Sequence, residues 1–274
     1  MSSFSAEWLS LREPADATAR SVELERSLAA VLQAGDGALE CVDLACGSGA
    51  NLRRLAPRLR GPQRWRLLDH DEALLAVARR QCAGLRAADG GVVEIVARRC
   101  DLAREPLAAA CAGAALVSAA ALLDLVSASW LDRLADAVVA ARAVALFALD
   151  YDGRRHCEPA ESGDGVAHAA FDRHQRRDKG FGPALGPEAA GYAARAFEVR
   201  GYRVQRARAD WHLGPGDGVL QRELLNGWAA AAAEAEPATC AAIEPWLARR
   251  LAHVTSGRSA LTVGHEDLLA VPEA

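Results

Sequence analysis

The segment Glu40-Cys41-Val42-Asp43-Leu44-Ala45-Cys46-Gly47-Ser48-Gly49-Ala50-Asn51-Leu52 constrains this chain more than any other. A short apolar run ends in an acid, a Gly-x-Gly turn follows, and a helical pattern begins at Asn51 and runs to residue 59. That order describes a buried parallel strand feeding a helix, across a turn whose glycines let a ligand approach the backbone. A dinucleotide-binding turn would carry a third small residue where Leu52 stands, and Leu52 opposes the close strand–helix packing that residue permits. No Gly-Lys-Ser/Thr follows either, so the turn is not a phosphate cradle.

The alternation continues downstream. Apolar runs at 65–69, 92–97, 114–119 and 143–150 read as further strands, with helical faces between them. Residues 151–187 are rich in charge, Gly and His and read as a loop. Beyond lie a helix at 188–200, a strand at 202–211, a helical stretch at 217–254 and a last strand at 259–270. Upstream, 5–33 is helical, with Pro14 expected to break the run and Gly35-Asp36-Gly37 to end it. The pattern predicts an α/β fold: a doubly wound, seven-stranded, mostly parallel sheet with N-terminal helices and a helical insertion before the last strand. One domain is expected. Residues 1–36 form a helical cover, 37–150 a ligand-binding core, 151–187 a charged lid loop, and 188–274 the second sheet half with its insertion at 212–258.

Val42-Asp43-Leu44-Ala45-Cys46-Gly47-Ser48-Gly49 resembles the first motif of class I S-adenosylmethionine-dependent methyltransferases, and the resemblance extends over residues 40 to 150. It implies S-adenosyl-L-methionine as cofactor, with the turn passing under the methionine part. Asp69, 26 residues after Asp43 at the end of the second strand, matches the acid that holds the ribose hydroxyls. A carboxylate accepts two hydrogen bonds from a vicinal diol better than an amide or hydroxyl can. Asp101, after the third strand, matches the acid facing the adenine amine, and His70 and Leu102 would pack on the ring. Cofactor contacts are thus expected from Asp43, Ala45, Gly47, Gly49, Asn51, Asp69, His70, Asp101, Leu102 and Ser118. In the pre-strand helix, Arg20 or Arg12 would meet the cofactor carboxylate.

The acceptor is less constrained. The net charge is −4 and aromatics make up 5% of the chain, which argues against a nucleic-acid partner. The Asn/Asp-Pro-Pro-aromatic element of enzymes that methylate base amines is absent after the fourth strand. A small molecule is therefore the expected acceptor. The alternatives are a nucleic acid or protein acceptor, or a non-catalytic module of the same fold. Of the 32 basic residues only Lys179 is lysine, so single arginines say little and the lysine says more. It lies in Phe171-Asp172-Arg173-His174-Gln175-Arg176-Arg177-Asp178-Lys179, whose cations would bind an anionic substrate. Arg12, Tyr151, Arg176 and Lys179 are the substrate candidates. Asp124, His174 and His156 are the candidates for a proton acceptor. Trp211, His212 and Trp228 are either pocket or core.

Seven cysteines without a CxxC pair, together with no export signal in residues 1–12 and no spanning stretch, point to the cytoplasm. No metal-ligand cluster is expected. No membrane partner is expected, and a homodimer is the expected assembly.

Overall fold

The strand that carries the Gly-rich turn lies at the centre of the sheet. β1 (Leu39–Leu44) pairs in parallel with β2 (Gln63–Asp69) on one side and with β4 (Leu116–Ala120) on the other. Cys41, Val42 and Leu44 have no exposed surface, as a strand covered on both faces requires. The computed structural model describes residues 4–32 and 37–273. Of the turn expected at 35–37, residues 35 and 36 lie outside the described residues.

β3 (Val93–Arg99) extends the sheet beyond β2, and β5 (Val144–Glu158) extends it beyond β4. β8 (Ala260–Pro272) runs antiparallel to β5, and β6 (Tyr202–Arg208) runs antiparallel to β8. The order is β3-β2-β1-β4-β5-β8-β6, the doubly wound sheet expected. Among the described residues there are eight strands, seven along this path and a short one off it. The run at 202–211 breaks at Ala209-Asp210, and β7 (Trp211–Leu213) makes its own antiparallel pairing with β8. At the break, the Asp210 carboxylate holds the Arg154 guanidinium, with Oδ2 2.8 Å from Nη1.

Helices cover both faces. Leu28 of α2 (Val22–Val31), Leu52 of α3 (Ala50–Leu55) and Leu75 of α4 (Glu72–Gln81) bury one face against Trp65 and Leu67. Leu52 takes the place of the small residue that a dinucleotide turn would have, and the helix stands on its side chain. On the other face, α5 (Leu107–Cys111), α6 (Ala128–Ala140) and α8 (Ala189–Glu198) pack through Trp130, Leu134 and Phe197 onto Phe147. A third cluster joins the far end of β5 and β7 with α7 (Asp164–Gln175), α9 (Gly218–Ala235) and α10 (Cys240–Thr255), through Tyr151, Trp211, Trp228 and Trp246.

Three local expectations are corrected. Residues 151–187 are not a loop: β5 continues to Glu158 because β8 is long enough to pair with it as far as Glu158↔Ala260, and α7 follows. The helical stretch at 217–254 is two helices separated at Pro237. Pro14 does not break the first helix, α1 (Ala6–Ala19). Pro14 and Ser10, the residue whose carbonyl loses its bond, are both exposed, so water can take the free carbonyl. The chain turns instead at Arg20-Ser21, where Ser21 caps α2 and its N–H donates to Asp267 Oδ2 at 2.8 Å. Among the described residues, no helix is long and apolar enough to cross a membrane.

Candidate active site

The carboxyl ends of β1, β2 and β4 bring the candidate cofactor residues together. Gly47 (φ +53°) and Gly49 (φ +81°) both sit in the left-handed region that glycine alone adopts without strain. The Gly47 N–H donates to Asp69 Oδ2 at 2.8 Å, and the Asp71 N–H donates to Asp69 Oδ1 at 2.9 Å. Asp69 is thus fixed in rotamer at the end of β2, only 4% exposed, with lone pairs left on both oxygens.

Behind the turn stands a buried polar chain. Asp43 Oδ1 accepts from Asn51 Nδ2 at 2.6 Å and from Ser118 Oγ at 3.1 Å, while Arg20 Nη1 donates to Asn51 Oδ1 at 2.8 Å. Burial pushes the Asp43 carboxyl up to about 7, against the pull of Asn51, Ser118 and the Arg20 charge. Asp43 Oδ2 is buried with no partner among the described residues.

These elements open onto a cavity of about 630 Å³, a volume typical of small-molecule sites. Of the residues expected to contact the cofactor, Asp43, Ala45, Gly47, Asn51, Asp69, His70 and Leu102 line it. Gly49, Ser118, Asp101 and Arg20 do not. Gly49 and Ser118 act one layer back, and Asp101 Oδ1 accepts from the Ala103 N–H at 3.1 Å while Cys100 takes the wall. Arg20 lies behind the site: it is 5% exposed, and its charge faces Glu25 and Asp267 as well as Asn51. The inner face of α1 roofs the site, with Leu9 Cδ1 only 3.0 Å from where a Cβ on Gly47 would sit.

The far end is walled by rings. Seven of the chain's fourteen Trp, Tyr and Phe residues line the cavity: Phe4, Trp8, Tyr151, Phe171, Phe181, Trp211 and Trp228. Half the aromatic content around one cavity is an unusual concentration of apolar surface for a ligand to meet. Trp211 and Trp228 thus serve the pocket, whereas His212 is exposed. Arg155, whose side chain is 1% exposed, sits behind the wall, its guanidinium carbon 4.7 Å from the Phe171 ring, 5.4 Å from Tyr151 and 5.6 Å from Trp228. It pairs with Asp172 at 2.8 Å, as does the Tyr151 hydroxyl at 3.0 Å. Arg12 lies over Trp211 at 4.9 Å, its Nε and Nη2 held by Asp16, which also accepts from Trp211 Nε1 at 3.0 Å.

Asp124, in the short turn after β4, lines the cavity at 6% exposure, and its Oδ1 has no partner among the described residues. Burial raises its carboxyl to about 6, with Arg12 and Lys179 near enough to oppose the rise. Beneath it, Asp150 Oδ1 accepts from the Leu123 N–H at 2.9 Å and fixes that turn. Lys179 Nζ lies 3.0 Å from His174 Nδ1, both side chains line the cavity, and burial lowers the proton affinity of each. Two candidates fall away. His156 is exposed on β5 against Glu158, and Arg176 turns outward to Glu188. Arg173 and Arg177 likewise pair outward with Glu236 and Glu234, so Lys179 is the cation of that segment that reaches the cavity.

Sequence reasoning missed His265. It lies opposite Tyr151 in the β5–β8 register, 5% exposed, with its ring centroid 5.1 Å from that of Trp211. Burial, aided by Arg12, lowers it to about 3, so it lines the cavity as a neutral imidazole. Its position depends on two register shifts between β5 and β8, which no local pattern announces.

No family model matches the chain. No curated protein matches it. Among solved structures, it is similar to an S-adenosylmethionine-dependent methyltransferase from Thiobacillus denitrificans in complex with S-adenosyl-L-homocysteine, at 16% identity over 98% of this chain and 99% of that one, with a TM-score of 0.47. It is similar to YjhP from E. coli at 16% identity, over 97% and 99%, with a TM-score of 0.45. It is also similar to geranyl diphosphate C-methyltransferase from Streptomyces coelicolor A3(2) at 14% identity, over 92% and 77%, with a TM-score of 0.45. At such identities and scores, these likenesses add nothing to what the sheet order carries. The strand order, the antiparallel β8 and the Gly-rich turn after β1 give the chain a doubly wound α/β fold with its candidate ligand residues gathered at the carboxyl ends of β1, β2 and β4.

Proposed function

We propose that this chain is an S-adenosylmethionine-dependent methyltransferase whose acceptor is a small molecule enclosed with the cofactor in the 630 Å³ cavity. The observation that carries this reading is the Asp69 carboxylate, fixed by the Gly47 N–H at the end of β2 and facing the same cavity as the Gly-rich turn. The residues fit the cofactor. Gly47 leaves room that a Cβ would fill, Asp69 keeps lone pairs for two ribose hydroxyls, and the unpartnered Asp43 Oδ2 suits an ammonium donor. Cys100, Leu102 and Leu74 supply apolar surface for a base.

When bound, the cofactor supplies an electrophilic methyl group on a sulfonium. The chain's own residues have three tasks. The turn and Asp69 hold one reactant, the aromatic wall holds the other, and alignment of this kind is worth up to about 7–11 kcal/mol of barrier. The roof made by α1, with α7 and α9, excludes water from the reacting atoms. Asp124 takes the acceptor's proton where the acceptor has one to lose.

Asp69→Ala is expected to weaken S-adenosylmethionine binding by about 1.5–3 kcal/mol, the range for hydrogen bonds to a charged group. Calorimetric titration of the folded variant beside the parent protein measures it. Equal affinities would remove Asp69 from the ribose site and take away the main support for this reading.

A further inference from the structure

Four of the seven rings that line the cavity are already engaged by a cation. Cation–π attraction requires the cation to sit over a ring face within about 6 Å. Phe171, Tyr151 and Trp228 already have the Arg155 guanidinium at 4.7, 5.4 and 5.6 Å, and Trp211 has that of Arg12 at 4.9 Å. Arg155 is behind the wall and does not line the cavity. Four of the rings thus have their electron density drawn to a fixed guanidinium, and toward the ligand they are apolar surface.

The polar groups facing the ligand complete the picture. Asp16 is spent on Arg12 and Trp211, which leaves Arg12 Nη1 without a partner among the described residues. Lys179 uses a donor on His174 and has others left. Asp124 is a buried carboxyl with an unpartnered oxygen, close to both cations. His265 is neutral, and Glu223 lies exposed at the cavity's edge. A buried carboxyl beside two cations, with the imidazoles of His174 and His265 in the same cavity, suits an acid that ionises as it reacts.

On these grounds, and resting on the methyltransferase reading above, we infer that the acceptor is a hydroxyl group on an aromatic or similarly flat apolar scaffold, and not an amine or quaternary ammonium compound. The hydroxyl proton passes to the Asp124 carboxylate. A lone pair of the oxygen forms the new O–C bond as the C–S bond breaks, its electrons staying on sulfur. The products are a methyl ether, S-adenosylhomocysteine and one proton released from Asp124. Lys179 and Arg12 hold the oxyanion before transfer.

The test compares two probes of similar ring size, 4-nitrophenol and benzyltrimethylammonium, titrated into the intact protein with and without saturating S-adenosylhomocysteine. The phenol should bind about tenfold or more tightly than the ammonium. Its visible phenolate band should persist on the protein at a pH where the free probe is protonated, and Lys179→Met should remove that persistence. Equal or tighter binding of the ammonium, no binding of either probe, or a bound phenol without the stabilised band would overturn the inference. The S-adenosylhomocysteine titration in the same samples judges the methyltransferase reading separately. Normal binding there with the wrong probe preference condemns only the acceptor class. No binding there condemns the cofactor site, and the acceptor class falls with it whatever the probes do.

Discussion

Changing Asp124 to asparagine is expected to lower kcat by about 10²–10⁴-fold, the usual contribution of a positioned general base, with cofactor affinity unchanged. Asparagine keeps the shape of the side chain and loses its ability to take a proton, so the loss isolates the chemistry. The residue is 6% exposed and lines the cavity. Burial raises its carboxyl to about 6, and the charges on Arg12 and Lys179 keep it from rising further. The sign follows from the role: only the carboxylate accepts a proton, so kcat/KM falls as pH drops through about 6 and is level above it. A pH series on the parent protein and the Asn variant checks both statements. If the variant keeps kcat within a few-fold, or the acid limb survives the substitution, Asp124 is not the base.

The second large effect is structural. Gly49→Ala is expected to destabilise the fold by about 2–4 kcal/mol, combining the strain of a Cβ in the left-handed region with overpacking. Gly49 has φ +81°, and a Cβ there would lie 2.7 Å from Cys82 Sγ and 3.2 Å from Ala78 Cβ. Ala78 lies on the buried face of α4 and Cys82 is its C-cap, both in the core, so neither yields without opening it. Gly84 provides the control. It has φ +76° with nothing within 4 Å of its missing Cβ, so Gly84→Ala should cost only the backbone strain of about 1–2 kcal/mol. Urea unfolding of the two variants measures the difference. Equal losses would mean that the tight approach of α4 to the turn contributes nothing.

The parts of this molecule that were legible in its sequence are those held by local chemistry. A buried strand shows as an apolar run, and the turn at Gly47 and Gly49 shows because only glycine takes those angles cheaply. Asp69 could be found because it ends an apolar run one β-α unit later. What was not legible depends on distant pairing. Residues 151–158 are polar apart from Tyr151, Gly153 and Cys157 and become strand only because β8 is there to pair with them. α7 buries only Ala167 and Ala170, so its sequence carries almost no helical stripe. A loop has no phase, whereas a helix does, and the phase sorts this segment. Phe171, His174 and Gln175, spaced at i, i+3 and i+4, face the cavity, and Arg173 and Arg176 turn outward. Arg176, expected to meet an anionic substrate, misses the cavity for that reason, whereas Lys179 lines it. His265 reaches the site through the register of the last strand, and Arg20 misses it because Asn51 stands between.

The central claim is that the turn after β1 and the carboxylate ending β2 form a site for S-adenosylmethionine. It is tested most directly by calorimetric titration of the purified protein with S-adenosylmethionine, S-adenosylhomocysteine and, as a control, NAD. The account predicts micromolar binding of the first two and none of the third, since Leu52 fills the place where a dinucleotide turn needs a small residue. Binding of NAD, or failure of both sulfur ligands to bind the folded protein, would contradict it.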